Sequence, residues 1–215
     1  MVFRTHNHRL YALDLGGKEW ELSRDAWPAL DPAWSPDGSS LALSKVQTDL
    51  HDTSSIWVVG DEGKARRVLT RGPGLRAQPT WSPDGRSLVY VVSFGNDGSE
   101  VRRVQVDGGG DEALFRDGSH NAYPRWSPDG QKLAYATNRF GSYEIVVRDL
   151  ETGVERRLTE NDSLDLRPSW SPDGDRLAFA SSRRGRLEVW TIRADGGDER
   201  PLFTIAEEAS DPAWR

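Results

Sequence analysis

Pro32-Ala33-Trp34-Ser35-Pro36-Asp37-Gly38 is one of five copies of a single punctuation mark. Trp-Ser-Pro-Asp-Gly returns in full at 81–85, 126–130 and 170–174, and its leading half returns as Pro212-Ala213-Trp214. The five tryptophans, Trp34, Trp81, Trp126, Trp170 and Trp214, stand 47, 45, 44 and 44 residues apart, each with a proline two positions before it. A fixed period of that length marks stacked structural repeats.

One period defines the unit. After each motif comes a short apolar run, at 41–43, 88–90, 133–135 and 177–179. A loop follows, then a β-rich run (55–59, 101–106, 143–147, 187–192), a Gly/Asp turn (60–63, 107–110, 195–197) and a fourth run such as 66–70 or 155–159. Short runs rich in Val, Ile, Tyr, Phe and Trp and bounded by turn residues read as strands. No stretch sustains a helical period. Four short strands per repeat predict a β-propeller blade. In the motif, proline presets φ at the first turn position, aspartate bonds nearby amides and glycine accepts positive φ, so it reads as the hairpin turn between strands one and two. Asp37, Asp84, Asp129 and Asp173 are identical copies one blade apart, which assigns them to turn chemistry rather than to metal ligation or catalysis. The repeated tryptophans read as packing wedges between blades, each burying roughly 150 to 250 Å².

The pattern Pro-x-Trp-Ser-Pro-Asp-Gly-x-x-Leu-Ala-Tyr, followed by Asn138-Arg139-Phe140-Gly141 or Ser182-Arg183-Arg184-Gly185 and by Arg-Arg-Leu-Thr at 156–159, resembles the TolB-type WD-like β-propeller repeat over nearly the whole chain. The resemblance implies the fold. For function it implies several classes: periplasmic protein-binding propellers, gating propellers of prolyl-oligopeptidase-like enzymes, and some polysaccharide lyases that use a cluster of histidines around a metal. Fold does not carry function with it.

Bulk properties bound the rest. The 215 residues fit one all-β domain, and an apolar content of 36% suits small sheets packed face to face better than one deep core. There is no cysteine, so disulfides contribute nothing. A net charge of −6 with interspersed signs argues against a nucleic-acid partner. No apolar run of membrane-spanning length and no signal-like segment occurs, so a soluble chain without membrane insertion is expected, cytoplasmic or, if a leader was removed, periplasmic.

Residues 1–3 align with the second strand of a blade, 9–15 with the third and 19–23 with the fourth, while 211–214 supply a first strand. The expectation is therefore an all-β, five-bladed β-propeller of four-stranded antiparallel blades, a monomer, in which the C-terminal strand joins the N-terminal three and removes exposed edges. Blade 1 takes 1–24 plus 210–215, and blades 2 to 5 take 31–71, 78–117, 123–160 and 167–205. A portion of a longer six- or seven-bladed ring is the runner-up, and an engineered or trimmed scaffold without a native ligand is a third reading.

The near-identical turns fall on one face, and the loops between strands two and three, with the connections between blades, fall on the other. Variable loops on a repetitive frame are where binding resides. Three residues before each repeat tryptophan, a position assigned to the connection, stand Asp31, Gln78, Tyr123, Arg167 and Asp211, five different choices expected to ring the channel mouth. Trp27 breaks the repeat, with a sugar, another side chain or its own loop as the surface it covers. His6 and His120, with His8 and His51, fall in loops of the same face; convergence would make a metal site in the channel, whereas scatter would leave ordinary surface histidines and no cofactor. Lys45, Arg139 and Arg183 face either an anionic ligand or their own hairpin loops, and for the two arginines, which recur in the repeat, the brace is the preferred reading.

Enzyme motifs fail one by one. There is no Gly-x-Ser-x-Gly elbow and no His-Glu-x-x-His pair. Gly108-Gly109-Gly110 precedes a strand rather than a helix, so it offers phosphate no helix N-terminus. Asn96-Asp97-Gly98 and Asp107-Gly108-Gly109 lack the spaced acidic ligands of a calcium loop. A non-enzymatic binding scaffold for a protein, peptide or small ligand is the first expectation. The alternatives are a lyase-like site built from His6, His120, Tyr123 and Arg167, or the gating propeller of a peptidase.

Overall fold

The computed structural model describes residues 2–4, 10–13, 19–21, 29–46, 53–60, 65–202 and 212. Among them every regular element is a β-strand except one 3-10 turn, Gly95–Asp97. The chain falls into two compact units, Met1–Phe115 and Arg116–Arg215.

The first unit opens with a three-stranded sheet of β1 (Val2–Arg4), β2 (Leu10–Leu13) and β3 (Glu19–Glu21), in that order. Two four-stranded meanders follow: β4 (Ala29–Trp34), β5 (Ser40–Val46), β6 (Ser54–Gly60) and β7 (Ala65–Val68), then β8 (Leu75–Trp81), β9 (Ser87–Ser93), β10 (Ser99–Gln105) and β11 (Glu112–Arg116). The second unit holds two more: β12 (Asn121–Trp126), β13 (Lys132–Thr137), β14 (Glu144–Asp149) and β15 (Glu155–Arg157), then β16 (Asp165–Trp170), β17 (Arg176–Ser181), β18 (Glu188–Arg193) and β19 (Arg200–Pro201). Pairing is antiparallel throughout these sheets. The chain is thus all-β, with four four-stranded blades of the predicted kind. The predicted closing strand at 210–215 lies outside the described residues save for Pro212.

The motif forms the hairpin turn between strands one and two for local reasons. In the first copy the Ser35 N–H donates to the Ser40 carbonyl (2.8 Å) and Gly38 N–H to the Ser35 carbonyl (2.9 Å). The Ser35 hydroxyl and the Ser39 N–H both donate to Asp37 Oδ1, at 2.6 and 3.0 Å. Gly38 has φ +70°, a conformation that a Cβ would strain. The same bonds recur around Asp84, Asp129 and Asp173.

Second strands are buried along most of their length, as β9 shows from Ser87 to Val92. That continuous burial, rather than alternation, is what a sheet covered on both faces requires. In the first unit Ala42, Ile56 and Val58 meet Trp81, Leu88, Tyr90 and Val104 of the next sheet. In the second, Ala134, Ile145 and Val147 meet Trp170, Leu177, Phe179 and Ile192. The wedge tryptophans also bond across: the Trp81 indole N–H donates to the Ala33 carbonyl (2.9 Å) and that of Trp170 to the Arg125 carbonyl (3.1 Å). Trp34, 37% exposed, departs from this pattern.

Candidate functional site

Asp31, Gln78, Tyr123 and Arg167 sit inside the first strands, not in the connections ahead of them as the sequence reading had it. β4, β8, β12 and β16 start two or three residues upstream, so the position belongs to the sheet. Each of the four lies where the ladder to strand two loses register, between Leu30/Ala33, Ala77/Thr80, Ala122/Arg125 and Leu166/Ser169. Their φ angles are 51°, 57°, 54° and 55°, the left-handed region. These are β-bulges, and the proline that follows each one takes a place where no ladder bond is lost. A left-handed residue with a Cβ costs about 1–2 kcal/mol, and glycine would not. Glycine occupies none of the five sequence copies.

Neighbouring bulges touch within each unit. In the first, the exposed Asp31 carboxylate accepts the Gln78 backbone N–H (3.1 Å) and the Ser44 hydroxyl (3.2 Å). In the second, the Arg167 guanidinium lies 5.2 Å from the centre of the Tyr123 ring, and both side chains are half-buried. So the repeat position forms a pair in each unit, one acidic and one cationic-aromatic.

His120 stands three residues before Tyr123, half-buried, with its backbone fixed to the strand-two-to-three loop. Its N–H donates to Asn138 Oδ1 (2.8 Å) and its carbonyl accepts the Asn138 N–H (3.2 Å). His6, Trp27 and Asp211, like His8 and His51, lie outside the described residues. Among the described residues no three His, Cys, Asp or Glu side chains are grouped to hold a metal ion.

The repeat arginines are braces. Arg139 reaches Glu155 (2.6 Å) and Asp117 (3.4 Å), and Arg183 reaches Asp165 (2.9 Å) and Glu199 (2.7 Å) while lying over the Trp190 ring. Lys45 lies over the Trp57 ring, 4.8 Å from its centre. Burial pushes the Glu155 carboxyl up, but hydrogen bonds from Arg148, Arg139 and the Tyr135 hydroxyl outweigh it and hold the group below its ordinary value. Burial first, and the Glu155 charge second, push the Tyr135 phenol up.

Sequence reasoning missed a set of buried charges at the connection end of the blades. Glu144 and Asp165 are fully buried and are joined through Asn161, whose N–H donates to Glu144 Oε1 (2.9 Å) and whose side-chain amide donates to Asp165 Oδ2 (2.8 Å). Arg76 stands at the repeat position of Asp165, and its guanidinium donates to the carbonyls of Arg71, Gly72, Pro73 and Gly74. The available signal was the run Arg76, Asn121, Asp165, three polar residues each five before a repeat tryptophan.

Four-stranded antiparallel meanders, each opened by a bulged strand that ends in a tryptophan, define a propeller-type repeat protein. The chain belongs to the TolB β-propeller domain family, whose model matches residues 1–215. It is similar to TolB from Acinetobacter baumannii (25% identity, TM-score 0.79, 94% of this chain and 50% of that one). The likeness to a putative TolB from Agrobacterium tumefaciens is at 25% identity and TM-score 0.80, covering 93% of this chain and 75% of that one. A puromycin-hydrolyzing peptidase of Mycobacterium tuberculosis shares the fold at 22% identity and TM-score 0.76, over 99% of this chain and 38% of that one. The chain thus spans half the length of the Acinetobacter protein. No curated protein matches it by sequence.

Proposed function

We propose that the chain is a non-enzymatic binding module that presents Asp31, Gln78, Tyr123 and Arg167, with the loops beside them, to a protein or peptide. The observation behind this reading is the left-handed bulge. One backbone geometry recurs in four blades, glycine would fill it without strain, and four chemically different side chains fill it instead. A position kept only for folding would favour the unstrained residue. Unlike side chains on one repeated backbone geometry are what selective recognition uses.

The test is a peptide-display selection on the full chain, with each recovered binder measured against single variants. Gln78→Ala, Tyr123→Ala and Arg167→Ala weaken binding at least tenfold, and Arg193→Ala, at the last residue of β18, leaves it unchanged. Binders sensitive to Arg193 and indifferent to the three bulge residues would overturn the proposal. Metal analysis separates the lyase-like alternative: stoichiometric manganese or zinc, lost in His120→Ala, would replace binding with metal-dependent chemistry.

A further inference from the structure

We propose that the second unit holds a further binding site, at the turn end of its two blades, for a small zwitterion with an aliphatic body: a free amino acid or a dipeptide. A cleft of about 440 Å³ opens there between the two sheets. Its apolar surface is made by Val147, Val154 and Ala194, and Val154 is 67% exposed. Lys132, the first residue of β13, and Asp175, the residue before β17, both line it. Among the described residues neither the Lys132 ammonium nor the Asp175 carboxylate has a hydrogen bond or an ion pair, and the two do not pair with each other. Opposite charges that share a cleft and leave each other unbonded are complementary to a molecule that carries both signs. An aliphatic body between the charged ends of such a molecule covers the apolar side chains. A ligand of a single sign leaves one of the two groups unmatched and meets it as a like charge, so both ends are read.

The other charged groups of the cleft are committed to its walls. Asp149, opposite Lys132 in the β13–β14 ladder, accepts the Glu151 N–H (3.2 Å) and both the N–H and the hydroxyl of Thr152 (2.8 Å each). Arg156 crosses from β15 to the Asp195 carbonyl (2.8 Å), while the Asp195 carboxylate accepts the Gly197 N–H (2.9 Å) and meets Arg193 (3.0 Å). Glu155 is held by Arg139 and Arg148. The Asp175 backbone is fixed as well, since its N–H donates to Asp173 Oδ1 (3.0 Å) inside the turn that the Ser171 N–H closes on the Arg176 carbonyl (2.9 Å). A frame set before the ligand arrives loses less freedom on binding. The repeat supplies the comparison. Arg176 stands in β17 where Lys132 stands in β13, and it is bonded within its own blade to Asp198 (2.8 Å) and the Thr191 hydroxyl (3.1 Å). In the first unit the cleft between neighbouring turns has Ser40 in place of Lys132 and Val106 in place of Ala194. The unbonded pair of charges is therefore no product of the repeat.

The backbone amide resonances of Lys132, Asp175 and Ala194 in the full chain read the site, titrated with L-leucine and with the dipeptide Ala-Leu. At least one of the two shifts all three resonances saturably. Blocking the ammonium of the better ligand by acetylation, or its carboxylate by amidation, weakens binding at least tenfold. Glycine or Gly-Gly, which lack the aliphatic body, bind severalfold more weakly. Tighter binding of leucine identifies a free amino acid as the ligand, and tighter binding of Ala-Leu identifies a dipeptide. Lys132→Met and Asp175→Asn each weaken binding at least tenfold at an unchanged melting temperature, because neither side chain holds another group of the fold. Absence of saturable shifts with both ligands would overturn the proposal, as would full-strength binding of either blocked form or by either variant. The site uses none of the bulge residues, so its failure leaves the peptide-binding role standing, and failure of that role leaves the site standing.

Discussion

At the scale of single residues, carboxylates hold turns and strand ends in place, and their protonation sets the acid limit of the fold. Asp84 and Asp129 lie below their ordinary value chiefly through the hydroxyls of Ser82 and Ser127, then through the N–H groups of Arg86 and Gln131. Glu155 is lowered by its two arginines and Tyr135 against the opposing push of burial. A folded value below the unfolded one gives stability that is present above the ordinary value and lost as pH falls through the folded value. The melting temperature should therefore be flat from pH 7 to about 5 and drop below the reference values of 4.5 for Glu and 3.8 for Asp. Each group contributes under about 1 kcal/mol, because partly exposed pairs are screened. Equal stability at pH 7 and pH 3 would contradict the assignment. The turn chemistry was legible because it is local: Ser, Pro, Asp and Gly specify their own hydrogen bonds. The bulge was not, since its usual marker is glycine and here Asp31, Gln78, Tyr123 and Arg167 stand in its place. A weaker signal was nonetheless present, because a proline two residues before each strand-ending tryptophan has no N–H for a ladder and calls for an irregularity there.

At the scale of strands and blades, tryptophan wedges join neighbouring sheets and arginine braces tie the loops of their own blade. Trp81 and Trp170 are 8% and 9% exposed and bond the preceding blade, so truncating either to alanine costs about 3–5 kcal/mol. Trp34→Ala costs less, since Trp34 is 37% exposed. Denaturant unfolding checks that order, and an equal loss at all three sites would contradict it. Arg183→Met strips a partner from the fully buried Asp165 and costs about 3–5 kcal/mol, with part of the loss recovered by adding Asp165→Asn. No recovery in the double variant would show that the arginine acts through packing on Trp190 alone. The strands themselves followed from the runs of apolar residues, and Arg139 and Arg183 were legible as braces because they recur with the repeat. Glu144 and Asp165 were not, since their partners lie 17 and 18 residues away in loops. A one-dimensional pattern does not show which polar residues are buried together.

At the scale of the whole molecule, the repeat period carried the fold class and nothing carried the ligand. The N-terminal sheet has three strands, β1-β2-β3, where each of the others has four. The expectation from the sequence is that 210–215 supply a fourth strand there. Deleting those residues should then lower the melting temperature, and an unchanged value would contradict closure. The central claim, that the bulge side chains are kept for binding rather than folding, has its most direct test in a quadruple variant with glycine at 31, 78, 123 and 167. Relief of about 1–2 kcal/mol of left-handed strain per site offsets the lost contacts and the added freedom of the unfolded chain. The account predicts a melting temperature within a few degrees of the parent, together with binding of the selected peptides reduced to background. Peptide binding that survives at full strength in the folded glycine variant would contradict it.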